Sequence, residues 1–380
     1  MTEQYSVTAK VYKTADNGDW SIEDMFGYFK KHGAMRVSDL HLKVGVQPTF
    51  RVDGNLMKLR GELVTKETAE KLIFPLLGER QLAEFRAKNN VDTSYHFGDL
   101  QFRINVFVDN EGPAAAIRAL GMDIPKLEDV GFPNDVYKDI VNLQNGLVLL
   151  TGITGAGKST TIASFIDRIC EKKACRIISL EDPIEYIIKQ KNSVISQREV
   201  GRDVPSFVDG LKAMLREDPD IVFVGEMRDA ETIAMTLMAA ETGHLVFSTL
   251  HTRDVTGTIT RVLDYFPSHR QDEVRNQLSL GLAYVICQKL IPKKDGTGRL
   301  ICMEILNNNY AVANLIRNGK IEQLYSQLQT KTKNVPTEKM ITFEHHLARL
   351  VKTGKIELLE AKKWVNDYQC FIDAMNTMTM

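Results

Sequence analysis

The segment GITGAGKS, residues 152–159, constrains the fold more than any other part of this sequence. It follows the apolar stretch LVLLT, precedes a helical pattern, and has the spacing G-x-x-x-x-G-K-S. Glycines at these positions let successive backbone N–H groups turn towards a phosphate, and the following helix presents its positive end to the same place. The segment therefore predicts a phosphate-binding loop between a buried strand and a helix.

The side chains of this loop suggest a nucleotide triphosphate and a metal ion. Lys158 is expected to reach the β and γ phosphates, and the Ser159 hydroxyl to bind Mg2+. The sequence contains no N-K-x-D segment, the guanine reader typical of GTPases. We therefore expect ATP and Mg2+ as cofactors. The other residues expected around the phosphates are Gly152, Thr154, Gly155, Ala156, Gly157 and Thr160.

The pattern around the loop predicts a parallel sheet covered by helices. The apolar strands LVLLT, RIISLE, IVFVGE and LVFSTL alternate with helical stretches, and near-continuous apolar strands indicate burial on both faces. Beyond about residue 254 helical segments dominate, apart from an expected hairpin around Asp295-Gly296. We predict an α/β ATPase core over residues 136–305 and a helical C-terminal region over residues 306–380.

A smaller mixed α/β domain is predicted for residues 1–120. Ser21 and Asp24 predict a capping box at the start of its first helix, and runs of alternating apolar residues predict strands further along. Residues 121–135 contain two prolines and two glycines without a period, so we predict a linker there.

Carboxylates and histidines follow several of the predicted core strands. Glu181 and Asp182 come after RIISL, and Glu226 comes after IVFVG, so all three should emerge at the carboxyl edge of the sheet beside the phosphate loop. Hydrolysis needs one carboxylate to orient water and another to help hold the metal. His244 and His251 flank LVFSTL. The alternative for each of these residues is an ordinary structural hydrogen bond or a solvent-facing position.

These motifs, taken together, resemble a known family. GITGAGKSTT, SLEDPIEY, LREDPDIVFVGEMRD and AAETGHLVFSTLHT, in this order and spacing, are similar to the secretion and type IV pilus motor ATPases. The resemblance includes SDLHLKVGVQPTFRVDG, covers residues 36–330, and is strongest for the pilus-retraction branch of PilT and PilU. It implies a PAS-like N-terminal domain, a RecA-like P-loop ATPase domain and a homohexameric ring.

The resemblance also implies where such a ring works. It would act in the cytoplasm, at the cytoplasmic face of the inner membrane, against an inner-membrane platform protein and alongside a second retraction ATPase. Its activity would be ATP hydrolysis coupled to the removal of pilin subunits.

The same resemblance assigns roles to residues of the core. Lys158 and Ser159 fall in the Walker A loop, and Glu226 falls in the atypical Walker B segment, where it would help Ser159 to hold Mg2+, partly through water. SLEDPIEY matches the Asp box, in which Glu181 would be the water-activating base. The remaining core residues assigned to catalysis are those of the His box, His244 and His251.

Two arginines match the family's pattern for contacts with nucleotide, and two other residues differ from the pattern of the retraction motors. Arg103 in QFRIN and Arg118 in AAIRAL match arginines that the family aims at nucleotide phosphates; the alternative is a salt bridge on a strand face. Ala313 in AVANLIR replaces an arginine of the retraction motif A-I-R-N-L-I-R, and Glu111 stands where retraction motors often have an arginine. Either Glu111 points away from the nucleotide, or the isolated ring is a slow ATPase beside a more active motor.

The composition narrows the classes of partner. Its 48 basic and 49 acidic side chains nearly cancel, so no global field attracts nucleic acid or an anionic membrane. The sequence lacks a run of about eighteen apolar residues and begins without a signal-peptide pattern. We expect a cytoplasmic protein that neither binds nucleic acid nor enters the membrane. The alternatives are an assembly or secretion motor of the same fold, a weakly hydrolysing accessory subunit and, against the charge pattern, a ring helicase.

Overall fold

In the computed structural model the chain is described over residues 6–377, apart from residues 16–17, 34–35, 54, 99, 121–123, 297, 335–336 and 338. The chain forms two compact units. Unit 1 consists of Met1–Ile124 and two later segments, Asp182–Ile187 and Arg198–Pro205. Unit 2 consists of Pro125–Glu181, Ile188–Gln197 and Ser206–Met380. The first residues of the predicted linker, 121–123, lie outside the described residues.

Unit 1 is an antiparallel sheet with helices packed against one face. In the part of the chain that the structure describes, six strands are ordered β5-β4-β3-β8-β7-β6, and a separate pair is formed by β1 and β2. The elements are β1 Tyr12–Lys13, β2 Asp19–Trp20, α1 Ile22–His32, β3 Val37–Leu42, β4 Thr49–Val52, β5 Asn55–Lys58, α2 Lys66–Ile73, α3 Glu79–Lys88, β6 Asn90–Phe97, β7 Leu100–Val108 and β8 Pro113–Leu120.

The first helix shows how sequence fixes this packing. Ser21 accepts a hydrogen bond from the Asp24 backbone while the Asp24 side chain accepts from the Ser21 backbone, which confirms the predicted capping box. The helix buries an apolar face on the sheet, where the rings of Phe26 and Phe102 stack with centroids 4.3 Å apart. The opposite face of the sheet is left for polar side chains, because residues alternate along each strand.

Unit 2 is a sheet with helices on its faces, followed by a group of C-terminal helices. The elements are α4 Val136–Asn142, β9 Gly146–Thr151, α5 Lys158–Lys172, β10 Arg176–Glu181, β11 Val194–Glu199, α6 Phe207–Met214, β12 Ile221–Val224, α7 Ala230–Glu241, β13 Leu245–Leu250, α8 Val255–Asp264, α9 Gln271–Gly281, β14 Leu282–Pro292, β15 Arg299–Asn307, α10 Tyr310–Arg317, α11 Leu324–Asn334, α12 Phe343–Lys352, α13 Leu358–Trp364 and α14 Tyr368–Thr377. Apart from the residues left out above, no described helix is both long and apolar enough to span a bilayer.

The central sheet contains more strands than the sequence pattern predicts. Its order over the described residues is β11-β10-β12-β13-β9-β14-β15, with β10, β12, β13, β9 and β14 parallel and β15 antiparallel to β14. The predicted strands RIISLE and LVFSTL coincide with β10 and β13. The expected hairpin around Asp295-Gly296 is confirmed, since β14 and β15 form it, and β14 joins it to the central sheet by pairing with β9.

Candidate active site

The loop between β9 and α5 has a backbone that depends on glycine. Gly152, Gly155 and Gly157 have φ angles of +145°, +78° and +88°, a region that side chains with a Cβ rarely adopt. A Cβ on Gly152 would lie 2.6 Å from the Gln288 carbonyl oxygen and 2.9 Å from the Ala156 Cβ. Both the angle and the close approach therefore exclude any other residue at position 152.

The start of α5 fits a phosphate group. The N-cap residue is Gly157, which offers no side-chain acceptor to the first-turn amides. An anion is the acceptor that such a helix end favours, since the amides and the helix dipole both point towards it. Ser159 and Thr160 are partly exposed in the same turn, and a hydroxyl oxygen there is a ligand that Mg2+ accepts.

Lys158 links the loop to the next strand of the sheet. Its side chain is buried, and Nζ donates to the carbonyl oxygens of Gly152 at 2.7 Å and Ile153 at 3.3 Å. Nζ also lies 3.3 Å from His251 Nδ1. Because a lysine ammonium can only donate, Nδ1 must accept, and the proton of the neutral imidazole is assigned to Nε2.

The proton assigned to His251 Nε2 faces a carboxylate. Nε2 is 3.4 Å from Glu226 Oε1, and Arg228 Nε donates to Glu226 Oε2 at 2.8 Å. Glu226 follows β12 and is one-fifth exposed. Lys158, His251 and Glu226 thus form a chain of polar contacts across the carboxyl ends of three neighbouring strands, β9, β13 and β12. A partly exposed carboxylate in this chain fits the oxygen ligands that Mg2+ prefers.

Glu181 ends β10, on the other side of β12, and its surroundings differ. The side chain is buried, and Oε1 accepts from Ser179 Oγ at 2.6 Å and from Gln197 Nε2 at 3.1 Å. Gln197 Oε1 in turn accepts from the Ile188 backbone N–H at 2.8 Å. Gln197 therefore fixes Glu181 to the chain that follows it.

The structure places His244 apart from His251. The two residues flank β13 at its amino and carboxyl ends, about 20 Å apart for a strand of this length. His244 Nδ1 lies 2.9 Å from the Ala239 carbonyl oxygen and 3.3 Å from Thr242 Oγ1, at the end of α7. Within this chain His244 holds a helix terminus, and its assignment to catalysis stays a prediction.

The two arginines predicted to face phosphate lie in one row of the unit 1 sheet. The strand register places Arg51, Asp39, Arg118, Arg103 and Ser94 opposite one another across β4, β3, β8, β7 and β6. Arg118 Nε donates to Asp39 Oδ1 at 2.8 Å, and Arg51 Nε lies 3.6 Å from Oδ2. The salt-bridge alternative therefore holds for Arg118, although two-thirds of its side chain remains exposed.

Glu111 lies at the far end of the same hairpin. Its Oε2 is 2.9 Å from Lys43 Nζ, and it belongs to the turn between β7 and β8. Arg103 and Arg118 pair five positions further from the turn than the last pair of the hairpin, which is about 17 Å along the strands. Glu111 is therefore paired with a lysine and separated from both arginines.

The second departure, Ala313, lies in α10 and is partly buried. On the same helix, Arg317 Nε donates to Ser279 Oγ of α9 at 3.2 Å. The arginine that ends the AVANLIR segment therefore helps to join α10 to α9.

Three residues of this site lie outside the sequence prediction. Arg228, which pairs with Glu226, stands inside the quoted GEMRD segment and could be found there. Gln197 carries no signal, because its contact with Glu181 depends on tertiary structure. Glu304 Oε1 accepts from the Val255 backbone N–H at 2.8 Å, at the start of α8 after the His251 loop. A single acidic residue in the apolar strand ICMEIL is the signal for Glu304.

Comparisons with known proteins agree with this geometry. The sequence matches the family model described as Type II/IV secretion system protein over residues 33–363. The type IV pilus retraction ATPase PilT of Pseudomonas aeruginosa is 42% identical over 310 residues, which are 81% of this chain and 89% of that protein. The type IV pilus ATPase PilU of the same organism is 33% identical over 325 residues, or 85% of this chain and 84% of that protein.

Solved structures extend the match to the fold. A crystal structure of the pilus retraction motor PilT with bound ADP has a TM-score of 0.83 and 42% identity, covering 92% of this chain and 98% of that one. The ATPase DotB of Legionella pneumophila has a TM-score of 0.81 and 26% identity, covering 92% of this chain and 97% of that one.

These matches confirm the predicted fold class, a RecA-like P-loop ATPase domain with a PAS-like N-terminal domain and a C-terminal helical region. They also confirm the prediction of an ATPase. The chain therefore belongs to the family of Type II/IV secretion system proteins, in the branch of the PilT and PilU pilus-retraction ATPases.

Proposed function

We propose that this chain is the subunit of a hexameric motor that hydrolyses ATP to retract a type IV pilus and so drives twitching motility. The observation that carries the proposal is the arrangement at the carboxyl edge of the unit 2 sheet. There the phosphate loop, the chain of contacts from Lys158 to Glu226 and the buried Glu181 lie on neighbouring strands. This edge is where ligands bind in open α/β sheets.

The residues divide the work of phosphoryl transfer to water. The Lys158 ammonium stabilises charge on the transferred phosphoryl group, and Glu181 accepts a proton from the attacking water. His251 holds Lys158 and Glu226 in a fixed relation. Ser159 and Glu226 would hold Mg2+, which supplies neutralisation of the developing phosphate charge. Arg103 and Arg118, which match arginines that the family aims at nucleotide phosphates, would add positive charge and make turnover sensitive to conformational closure.

The relatives support a proposal for the ring and its partners. A homohexamer gives each nucleotide site a neighbour that its closure can displace. The ring would meet an inner-membrane platform protein at the cytoplasmic face of that membrane, and would work with a second retraction ATPase, as both PilT and PilU are relatives of this chain.

Two experiments test the motor. Purified protein should release phosphate from ATP in a Mg2+-dependent manner and should scatter light as a hexamer. Cells without the gene should carry more pili and fail to retract them, and wild-type protein but not Glu181→Gln should restore retraction. Loss of pili on deletion would instead identify an assembly motor, and a monomer at high concentration with ATP and Mg2+ would contradict the ring.

A weakly hydrolysing accessory subunit is the second candidate, and Glu111 is the residue that favours it. Mixing this protein with the other retraction ATPase of the same cell separates the two. An accessory subunit would turn over slowly alone yet raise retraction in the mixture, whereas the principal motor would support retraction without its relative.

A further inference from the structure

After Glu181 the polypeptide passes from unit 2 into unit 1. Glu181 is the last residue of its stretch of unit 2, and the next six residues, Asp182–Ile187, belong to unit 1. The chain returns to unit 2 for Ile188–Gln197 and enters unit 1 again at Arg198–Pro205. The segment that follows the proposed catalytic base is therefore fixed by contacts of unit 1.

Glu199 makes the central contact of this kind. The residue is 2% exposed, and its Oε2 accepts from Ser94 Oγ at 2.6 Å and from the Ile184 backbone N–H at 3.2 Å. Arg202 NH1 lies 3.7 Å from the same oxygen and donates to Ser94 Oγ at 3.3 Å. A buried carboxylate is retained only where hydrogen bonds and charge compensate its lost hydration. Glu199 thus ties the segment after Glu181 to β6.

A second side chain holds the same residue of that segment. The Gln101 amide, which is 1% exposed, donates from Nε2 to the Ile184 carbonyl oxygen. Ile184 is therefore held at both its N–H and its C=O group. The N–H donates to Glu199 of β11, which also accepts from Ser94 of β6, and the C=O accepts from Gln101 of β7.

Strand β11 connects these contacts to the proposed base. Gln197 and Glu199 are two positions apart on one strand, so their side chains project from the same face. Gln197 donates to Glu181 and accepts from Ile188, while Glu199 accepts from Ile184. The stretch from Glu181 to Ile188 is thus held at three places by one face of β11.

The contact of Glu199 with Ser94 also reaches the arginine row. Ser94 lies directly opposite Arg103, and Arg103 lies directly opposite Arg118, in the register of β6, β7 and β8. Residues opposite each other in neighbouring antiparallel strands project from the same face of the sheet. Glu199 therefore contacts the residue that flanks the arginines predicted to face phosphate.

We propose that Glu199 is a positioning residue for ATP hydrolysis, which, together with Gln197 on the same face of β11, fixes the segment that follows Glu181 and so holds the base in place. The inference rests on the proposed function of Glu181. Its physical basis is that hydrolysis is steeply sensitive to geometry, since a displacement of about 1 Å at the reacting groups can cost on the order of 100-fold in rate.

Removal of the Glu199 charge tests this role. Glu199→Gln should lower kcat about 10-fold and leave KM for ATP and the affinity for ADP within about twofold, because positioning rather than binding is lost. Ser94→Ala should lower kcat about threefold in the same way. In a Glu181→Gln background, Glu199→Gln should cause no further loss in single-turnover rate, because a residue that acts through the base has nothing left to position.

Thr93→Val is the matched control. Thr93 is the adjacent buried hydroxyl of β6, on the opposite face, where it accepts from Gln81 Nε2 at 2.9 Å. Its removal should lower thermal stability without changing kcat, and so separates loss of stability from loss of positioning.

The outcomes divide as follows. A folded Glu199→Gln with wild-type kcat, or a loss that adds fully to that of Glu181→Gln, would overturn the positioning role. If Glu199→Gln failed to fold, an unchanged kcat in Ser94→Ala would overturn it. Normal turnover in Glu181→Gln would remove the base assignment on which the inference rests, whereas a dead Glu181→Gln beside a normal Glu199→Gln would refute the inference alone.

Discussion

The carboxylates that follow β10 and β12 stand at the same edge of one sheet, yet they have different surroundings. Glu181 is buried, and neutral donors, Ser179 and Gln197, approach its Oε1. Glu226 is partly exposed, and its two oxygens face Arg228 and the imidazole of His251, which contacts Lys158. Both carboxylates thus lie at the end of a strand, but the groups that contact them differ.

The different surroundings of Glu181 and Glu226 suit the two carboxylates to different roles. A buried carboxylate at the same sheet edge as the phosphate loop is suited to accept a proton from water. A partly exposed carboxylate that is paired with an arginine is better suited to hold its neighbours in place and to share a metal ion. We therefore propose Glu181 for proton transfer and Glu226 for the organisation of the phosphate side of the site.

The largest effect is expected at Lys158, which contacts Glu226 through His251. Lys158→Ala should lower ATP turnover at least about 1000-fold, because it removes the charge placed on the transferred phosphoryl group. The fold should remain, since the change exposes little apolar surface. Phosphate release by protein with a wild-type circular dichroism spectrum is the measurement. Turnover near wild type would contradict the phosphate-loop assignment.

Glu181→Gln should lower turnover about 100-fold while ATP binding is preserved. The amide keeps the shape of the side chain and can still accept from Ser179, but it cannot take a proton from water. Binding of a fluorescent ATP analogue, measured beside phosphate release, separates the two effects. Equal losses in binding and turnover would show that Glu181 serves the structure of the site rather than the chemistry.

Glu226→Gln should lower turnover about 10- to 100-fold, and added Mg2+ should recover part of the loss, because the variant weakens a metal ligand. Turnover is measured across a range of Mg2+ concentrations, with Glu181→Gln as the matched variant that Mg2+ should not rescue. Identical Mg2+ dependence in the two variants would contradict the proposal that the two carboxylates have different roles.

The smallest effect is expected at Glu111. Glu111→Arg should leave turnover within about twofold of wild type, since Glu111 is paired with Lys43 and lies about 17 Å along the hairpin from Arg118. Arg118→Ala, assayed in parallel, should lower turnover several-fold. A several-fold gain in Glu111→Arg would instead show that this carboxylate inhibits the site. If neither variant changed turnover, Arg118 would have no role beyond its structural salt bridge with Asp39.

The features that the sequence predicts are local ones. The capping box of Ser21 and Asp24 is encoded within four residues, and the glycine spacing of the phosphate loop within eight. Strands β10 and β13 are largely apolar runs. In each case the residues that determine the structure are neighbours in the chain, so no knowledge of the tertiary fold is needed.

The remaining features depend on which distant segments meet. The sequence LAYVICQKLIP of β14 has no clear period of two, so the pattern alone does not distinguish a strand from a buried helix. His251 contacts both Lys158 and Glu226 because β13 lies between β9 and β12, a strand order that no local pattern encodes. The contact of Gln197 with Glu181 likewise depends on β11 lying next to β10.

Glu304, which accepts from the first amide of α8, makes the stability of the protein depend on pH. Burial, together with the charges of Glu344 and Asp254, raises the pKa of Glu304 from 4.5 to about 8, against the lowering effect of its bond from Val255. The unfolded chain releases this proton near pH 4.5, so the folded state holds one more proton between that pH and about 8. Stability therefore falls as pH rises through this window, by at most about 1.4 kcal/mol per pH unit. The helix that follows the His251 loop thus starts on a carboxyl group that stays neutral up to about pH 8, so a rise in pH from mildly acidic to neutral weakens its anchorage.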